Sequence, residues 1–166
     1  ADVSRHTAGW KLNAGRDLYM VHCVHCHGTA GDGDGRTAKF LDPRPRDYRN
    51  GVFKFTSTEG GVKPSRHDLR TIISQGIPAT SMPAFVLLGE EKVDQLIEYV
   101  RFLSMRGEYE RKMFDVLKEF DLARDVAARK DKPLQEVQQE ISKRLKDEAE
   151  DLFVTPATDI ADAWAA

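Results

Sequence analysis

The sequence predicts an all-α chain, a small helical domain followed by a helical hairpin. Three observations carry this. Apolar residues recur at three- and four-residue spacing in five stretches, most clearly Val93, Leu96, Ile97, Val100 and Leu103. Between the first two stretches, residues 28–64 hold seven glycines and three prolines with no regular pattern. A loop that long is unusual in a compact domain, and makes sense if it wraps a large rigid ligand that supplies the missing core. Beyond Gly107 the texture changes to two apolar stripes set among alternating charges.

In order along the chain, residues 10–22 place Leu12, Gly15, Leu18, Tyr19 and His22 at helical spacing, and Gly15 is small enough for another helix to come close. The hexapeptide CVHCHG follows, Cys23 to Gly28. Within the loop a short helix is expected over residues 37–41. Ser65 is placed to cap a helix through His67, Leu69, Ile72 and Ile73, and Gly76 to end it. Residues 76–85, GIPATSMPAF, read as a turn-rich loop with two prolines, and residues 90–104 as an amphipathic helix. Residues 108–129 align Tyr109, Met113, Val116, Leu117, Phe120, Ala123 and Ala127. Pro133 suits a first helical turn, and Leu134, Val137, Ile141, Leu145, Ala149 and Leu152 follow as a second stripe. The expected organisation is a domain over residues 1–107, a hairpin over 108–153 and a flexible tail over 154–166.

Composition narrows the function. The 166 residues are 40% hydrophobic and 31% charged, an ordinary soluble balance. The net charge of −2 makes no case for nucleic acid. It is uneven, +3 over residues 1–107 and −5 over 108–166, which reinforces a boundary near Gly107. No apolar run is long enough to span a membrane. The chain starts at Ala1 without a basic-then-apolar leader, as expected of a mature or trimmed product, in which a removed export signal would be invisible.

The chemistry sits in Cys23, Cys26 and His27. Cys-x-x-Cys-His is the attachment signature of c-type haem. Two thiols three residues apart can add to the two vinyl groups of one porphyrin, and the next residue then lies beneath the iron. Zinc would need four ligands; Cys23, Cys26 and His27 with His22, His25 or His67 could supply them, but no second cysteine pair exists. A thioredoxin-like pair wants a βαβ context that the sequence lacks. Met82, in Ser-Met-Pro-Ala-Phe, lies in a loop stiffened by Pro78 and Pro83, unlike Met20, Met105 and Met113, which read as core filler. Its thioether is a soft ligand that favours reduced iron, making His27 and Met82 the expected axial pair.

These residues carry a resemblance to the class I c-type cytochromes. GRDLYMVHCVHCHG resembles the family's first helix and attachment site. GDGDGRTAKFLDPRPRDY is similar to the Gly/Pro-rich loop of bacterial members, GIPATSMPAF to the methionine loop, and VDQLIEYVRFL to the C-terminal helix, with Leu96 and Tyr99 at packing positions. The resemblance spans about residues 9–105. It implies three to five helices around one covalently held haem c. It also implies a proline carbonyl, Pro43 or Pro45 with Pro43 preferred, accepting the Nδ1 proton of His27. Arg46 and Tyr48 are candidate propionate donors, or else solvated loop residues. Phe40, Leu41, Phe53, Phe55, Leu69, Ile72, Ile73 and Phe85 are expected in the haem pocket or core. The helices after Gly107 depart from the small family members.

Asp32-Gly-Asp34-Gly reads as a turn, since a calcium loop would need an acid where Pro43 stands. His67 reads as an exposed helix residue, His22 and His25 as polar neighbours of the haem. The expected function is electron transfer, as a soluble carrier or a relay domain of a respiratory chain. Partners are expected to be redox proteins docking where the methionine loop meets Arg44, Arg46 and Arg49. The alternatives are a haem enzyme or gas-binding protein with a displaceable Met82 and a distal group such as His67, and a docking subunit of a larger redox complex. Attachment of haem to such thiols on the exported side, which the resemblance implies, leads to an expected periplasmic or otherwise exported location.

Overall fold

Every regular element is helical among the residues that the computed structural model describes, which are 3–60, 62–119, 128 and 132–165. Helix α1 is Val3–His22 and α2 the single turn Val24–His27. A 3-10 turn, Ala38–Phe40, precedes α3, Arg66–Gln75. A second 3-10 turn, Val86–Leu88, leads into α4, Glu90–Glu119. Helix α5 is Leu134–Asp147, and a π-helical turn, Glu150–Val154, runs into α6, Thr155–Ala165. The chain divides into two compact units, Ala1–Gly107 with Ala163–Ala166, and Glu108–Asp162.

The core of the first unit is built where α1 crosses α4. A Cβ added at Gly15 would stand 1.9 Å from the carbonyl oxygen of Gln95, so only glycine permits this approach. Around the crossing, Tyr19, Val93, Leu96, Ile97 and Leu103 are buried almost completely. The rings of Tyr19 and Tyr99 meet at 5.2 Å between centroids. Helix α3 starts with a capping box: the Ser65 hydroxyl accepts from the Asp68 amide, and the Asp68 carboxylate accepts from the Ser65 amide at 2.9 Å. Asp68 also accepts from the Ser57 amide at 3.0 Å, pinning the preceding loop to the helix. Gly76 closes α3 at φ +69°. Arg66–Glu98 and Arg70–Asp94 ion pairs link α3 to α4 at the partly exposed surface.

Several elements differ from expectation. Helix α1 begins at Val3 rather than residue 10, because the added residues carry no apolar stripe of their own to signal a helix. Helix α4 does not stop at Gly107 but continues to Glu119. Gly107 is buried, and a Cβ there would stand 2.3 Å from Cβ of Arg49, so this glycine admits a neighbour rather than ending a helix. Pro133 sits at the N-cap of α5, one position ahead of its first turn. Residues 155–165, expected as part of a flexible tail, are helical, with Ile160 and Trp164 buried. Phe40, expected in the pocket, is 76% exposed at the end of its 3-10 turn, with the Lys39 ammonium 4.9 Å above its ring. Met20, read as core filler, is 40% exposed. In the second unit Val137 is buried while Phe114, Leu117 and Leu134 are exposed. The expected stripe positions Phe120, Ala123 and Ala127 lie outside the described residues.

Candidate functional site

The site grows from the end of α1. The Cys23 amide still bonds to the Tyr19 carbonyl at 2.9 Å, and α2 then turns tightly, the His27 amide bonding to the Cys23 carbonyl at 2.9 Å. This turn sets Cys23, Cys26 and His27 on the wall of one cavity of about 380 Å³. No disulfide joins Cys23 and Cys26. Burial, then the neighbouring Cys26, pushes the Cys23 thiol up to about 12.

The glycine-rich loop holds this turn from outside. The amides of Gly33, Gly35 and Thr37 donate to the carbonyls of His27, Cys26 and His25 at 3.0, 3.1 and 2.9 Å. These are the carbonyls that a short helix leaves unpaired at its end. A Cβ at Gly35 would stand 2.4 Å from the His25 oxygen, and one at Gly33 2.5 Å from the Pro45 oxygen. The Asp34 amide donates to the Asp32 carboxylate at 3.0 Å, making the turn read from the sequence. Thr37, not singled out in the sequence, donates its hydroxyl to the His25 carbonyl at 2.8 Å and lies 3.2 Å from the Cys26 sulfur. Its one proton being committed, it accepts from the thiol.

The His27 ring packs against Tyr48, centroids 5.0 Å apart, and Tyr48 stacks on Phe53 at 5.9 Å with planes 6° apart. Burial holds the imidazole below the ordinary histidine range, while the Arg46 backbone acts the other way. His27 Nδ1 is buried and makes no hydrogen bond of normal geometry. The bond expected from it to Pro43, or to Pro45, is therefore not formed; both prolines line the cavity, and it is the main chain of Arg46 that acts on the ring. Tyr48, 5% exposed, places its hydroxyl 3.5 Å from that of Tyr19, which donates to the Gly28 carbonyl at 2.7 Å. Burial raises the pKa of both phenols.

Met82 lines the same cavity. Its amide donates to the Thr80 hydroxyl at 3.1 Å, its carbonyl accepts from the Ile77 amide at 3.2 Å, and the Phe85 amide donates to the Ile73 carbonyl at 3.1 Å. The methionine loop is thus tied to the end of α3, and a Cβ at Gly76 would stand 2.6 Å from the Met82 oxygen. Gly76 was read from the sequence as the end of α3 but not as a close approach to Met82, and Thr80 was not singled out.

Apolar side chains make up most of the remaining wall, among them Leu41, Phe53, Phe55, Leu69, Ile72, Ile73 and Phe85. His22 and His25 also line it, and the His22 ring meets that of Phe85 at 6.0 Å. The fully charged side chains on the wall are Arg44, Arg46 and Lys54, with no carboxylate among the described lining residues. Lys54 was not picked out from the sequence. Among the described residues no three His, Cys, Asp or Glu side chains gather as a metal site.

The residues fit a haem. Two thiols at the attachment spacing, a buried imidazole and a thioether face one apolar cavity, of a size typical of cofactor sites, whose charged residues suit an anionic group. An all-helical fold around such a site defines a monohaem class I c-type cytochrome, a haem-binding domain of electron transfer. More particularly, the chain belongs to the family described as cytochrome c oxidase, cbb3-type, subunit III, which it matches over residues 11–100. A chain of the Kuenenia stuttgartiensis reducing HAO-like protein complex Kustc0457/Kustc0458 is similar, at 31% identity and a TM-score of 0.53. The match covers 54% of this chain and 41% of that one, so it reaches less than half of the neighbour's length. No curated protein matches the chain.

Proposed function

We propose that this chain holds one haem c covalently through Cys23 and Cys26, with His27 and Met82 as axial ligands, and passes single electrons between redox proteins in the periplasm or an equivalent exported compartment. The observation that carries the proposal is the convergence of those four side chains on one apolar cavity. When bound, the group supplies one-electron iron chemistry, at a potential raised by thioether ligation.

The chain's own residues do the rest. His27 is held neutral by burial, which leaves an imidazole lone pair available. The hydrogen bonds through Thr80 and Ile77 hold the Met82 backbone in place. Leu41, Phe53, Leu69, Ile73 and Phe85 exclude water, and Arg44, Arg46 and Lys54 offer positive charge to propionates. If His27 and Met82 both hold the metal, no substrate site would remain on it, which favours a carrier over an enzyme. The enzyme alternative needs a distal acid–base group, and His67 is exposed and absent from the cavity wall.

Docking is proposed where the exposed methionine loop, with Val86 and Leu87 beside it, meets the basic rim at Arg44 and Arg46. Arg49, bound to Asp47 through two hydrogen bonds, contributes less to that rim than the sequence led one to expect. The similar chain from a HAO-like protein complex supports a partner that is itself a redox assembly.

Optical spectra and denaturing mass analysis of protein made with its export and haem-attachment machinery test the proposal. Haem that survives denaturation, and its loss in a Cys23→Ser, Cys26→Ser double variant, are expected. The weak red absorption of an iron–thioether bond should vanish in Met82→Ala. Colourless protein with free thiols, or with zinc in their place, would refute it.

A further inference from the structure

We propose that Trp164, from the far end of the chain, is a positioning residue of the haem pocket, acting on His27 through Phe53 and Tyr48. The proposal rests on the reading of His27 as an axial ligand. Residues Ala163–Ala166 belong to the same compact unit as residues 1–107, and Trp164 is only 4% exposed there. Its ring meets that of Phe53 edge-on, at 6.3 Å and 86°. Phe53 lines the cavity and stacks on Tyr48, and Tyr48 faces the imidazole of His27. Four rings thus run in unbroken contact from the C-terminal segment to the proposed ligand.

The far end of this stack is clasped. The ammonium of Lys63 lies 5.6 Å and the guanidinium of Arg101 5.8 Å from the Trp164 ring centroid, within cation–π range. Arg101, carried on α4, also donates to the Trp164 carbonyl. At the near end, an axial histidine is ordinarily oriented by a hydrogen bond from its second nitrogen. Here Nδ1 of His27 makes none of normal geometry, and packing against Tyr48 helps to orient the ring beside the influence of the Arg46 main chain. Removing Trp164 takes away the backing of Phe53, frees the stack to shift, and lets water toward the ligand.

The test uses the full, haem-loaded chain with Trp164→Ala, Trp164→Leu and Trp164→Phe. The readouts are the midpoint potential, the low-spin ferric EPR spectrum and the melting temperature. Water near the ligand stabilises the ferric charge, so at the poise where wild type is half reduced, Trp164→Ala should show a reduced-to-oxidised ratio about threefold lower. Its EPR spectrum should change, and Trp164→Phe should restore both properties. If Trp164→Ala fails to accumulate with haem, Trp164→Leu carries the same expectation, since it keeps apolar bulk but lacks the ring. A variant that melts lower yet keeps the wild-type potential and EPR spectrum would overturn the proposal and make Trp164 an ordinary core residue. A wild-type chain without haem would overturn it together with the reading beneath it.

Discussion

Two glycines on one helix should respond to the same substitution with opposite signs. Gly9 and Gly15 both lie in α1. Around Gly9 an added Cβ meets nothing within 4 Å, so Gly9→Ala gains only the intrinsic helix preference, about 0.8 kcal/mol. At Gly15 the same carbon would stand 1.9 Å from the Gln95 oxygen, 2.7 Å from its carbonyl carbon and 3.1 Å from Cβ of Tyr99. The first contact is about 1.5 Å short of ordinary van der Waals separation, and the obstacle is backbone in the second turn of α4, which no rotamer change can clear. The crossing must open, loosening the packing of Tyr19, Leu96 and Tyr99. Overpacking of this kind costs about 3 kcal/mol, and the helix preference returns about 1, leaving a net loss of about 2 kcal/mol. For a unit of this size that lowers the melting temperature by roughly 10 °C. Thermal melts of the haem-loaded proteins followed by circular dichroism would measure both. A Gly15→Ala protein as stable as wild type, or a Gly9→Ala protein that loses as much, would refute the account of the crossing.

Other changes follow from the loops. Gly33→Ala forces a side chain onto a residue at φ +72° and within 2.5 Å of the Pro45 oxygen, and should destabilise the first unit by about 2 kcal/mol in denaturant melts. Thr37→Val removes the hydroxyl that donates to the His25 carbonyl, and should cost about 1 kcal/mol by the same measurement. The Asp68 pKa would be raised by burial, but hydrogen bonds from Ser65 and Ser57 outweigh this and hold it below the ordinary carboxylate range. Its contribution is therefore present above the unfolded value and lost as pH falls through the lowered folded one. Asp68→Asn should cost about 1 kcal/mol at pH 7 and progressively less in acid, as melts across pH would show.

The attachment turn was legible because its chemistry is compressed into five consecutive residues, and α3 because Ser65 and Gly76 mark its ends with side-chain and backbone chemistry of their own. Gly15 was readable as a crossing point from its place on the stripe with Tyr19. Gly107 was not, since a glycine that ends a helix and one that admits a neighbour look alike until the neighbour, Arg49, is in place. Residues 155–165 carry small side chains and weak periodicity, and the burial of Trp164 depends on Phe53, Lys63 and Arg101, all distant in sequence. Phe40 misled because hydrophobicity alone does not report which way a 3-10 turn points. The partner of His27 Nδ1 was misjudged because a carbonyl's reach depends on the path of the whole loop, not on its separation along the chain.

The three bonds that bind the glycine loop to α2 run in a fixed order. Donors advance by two residues, 33, 35, 37, while acceptors step back by one, 27, 26, 25. Such a zipper has one register. Inserting or deleting a single residue between Gly33 and Thr37 would break the two-for-one step and misalign the bonds beyond it, and with them the close approach at Gly35. Length in this stretch is therefore as tightly constrained as identity, whereas the exposed turn at Glu59 and Gly60, where an added Cβ on Gly60 meets nothing, has room to lengthen.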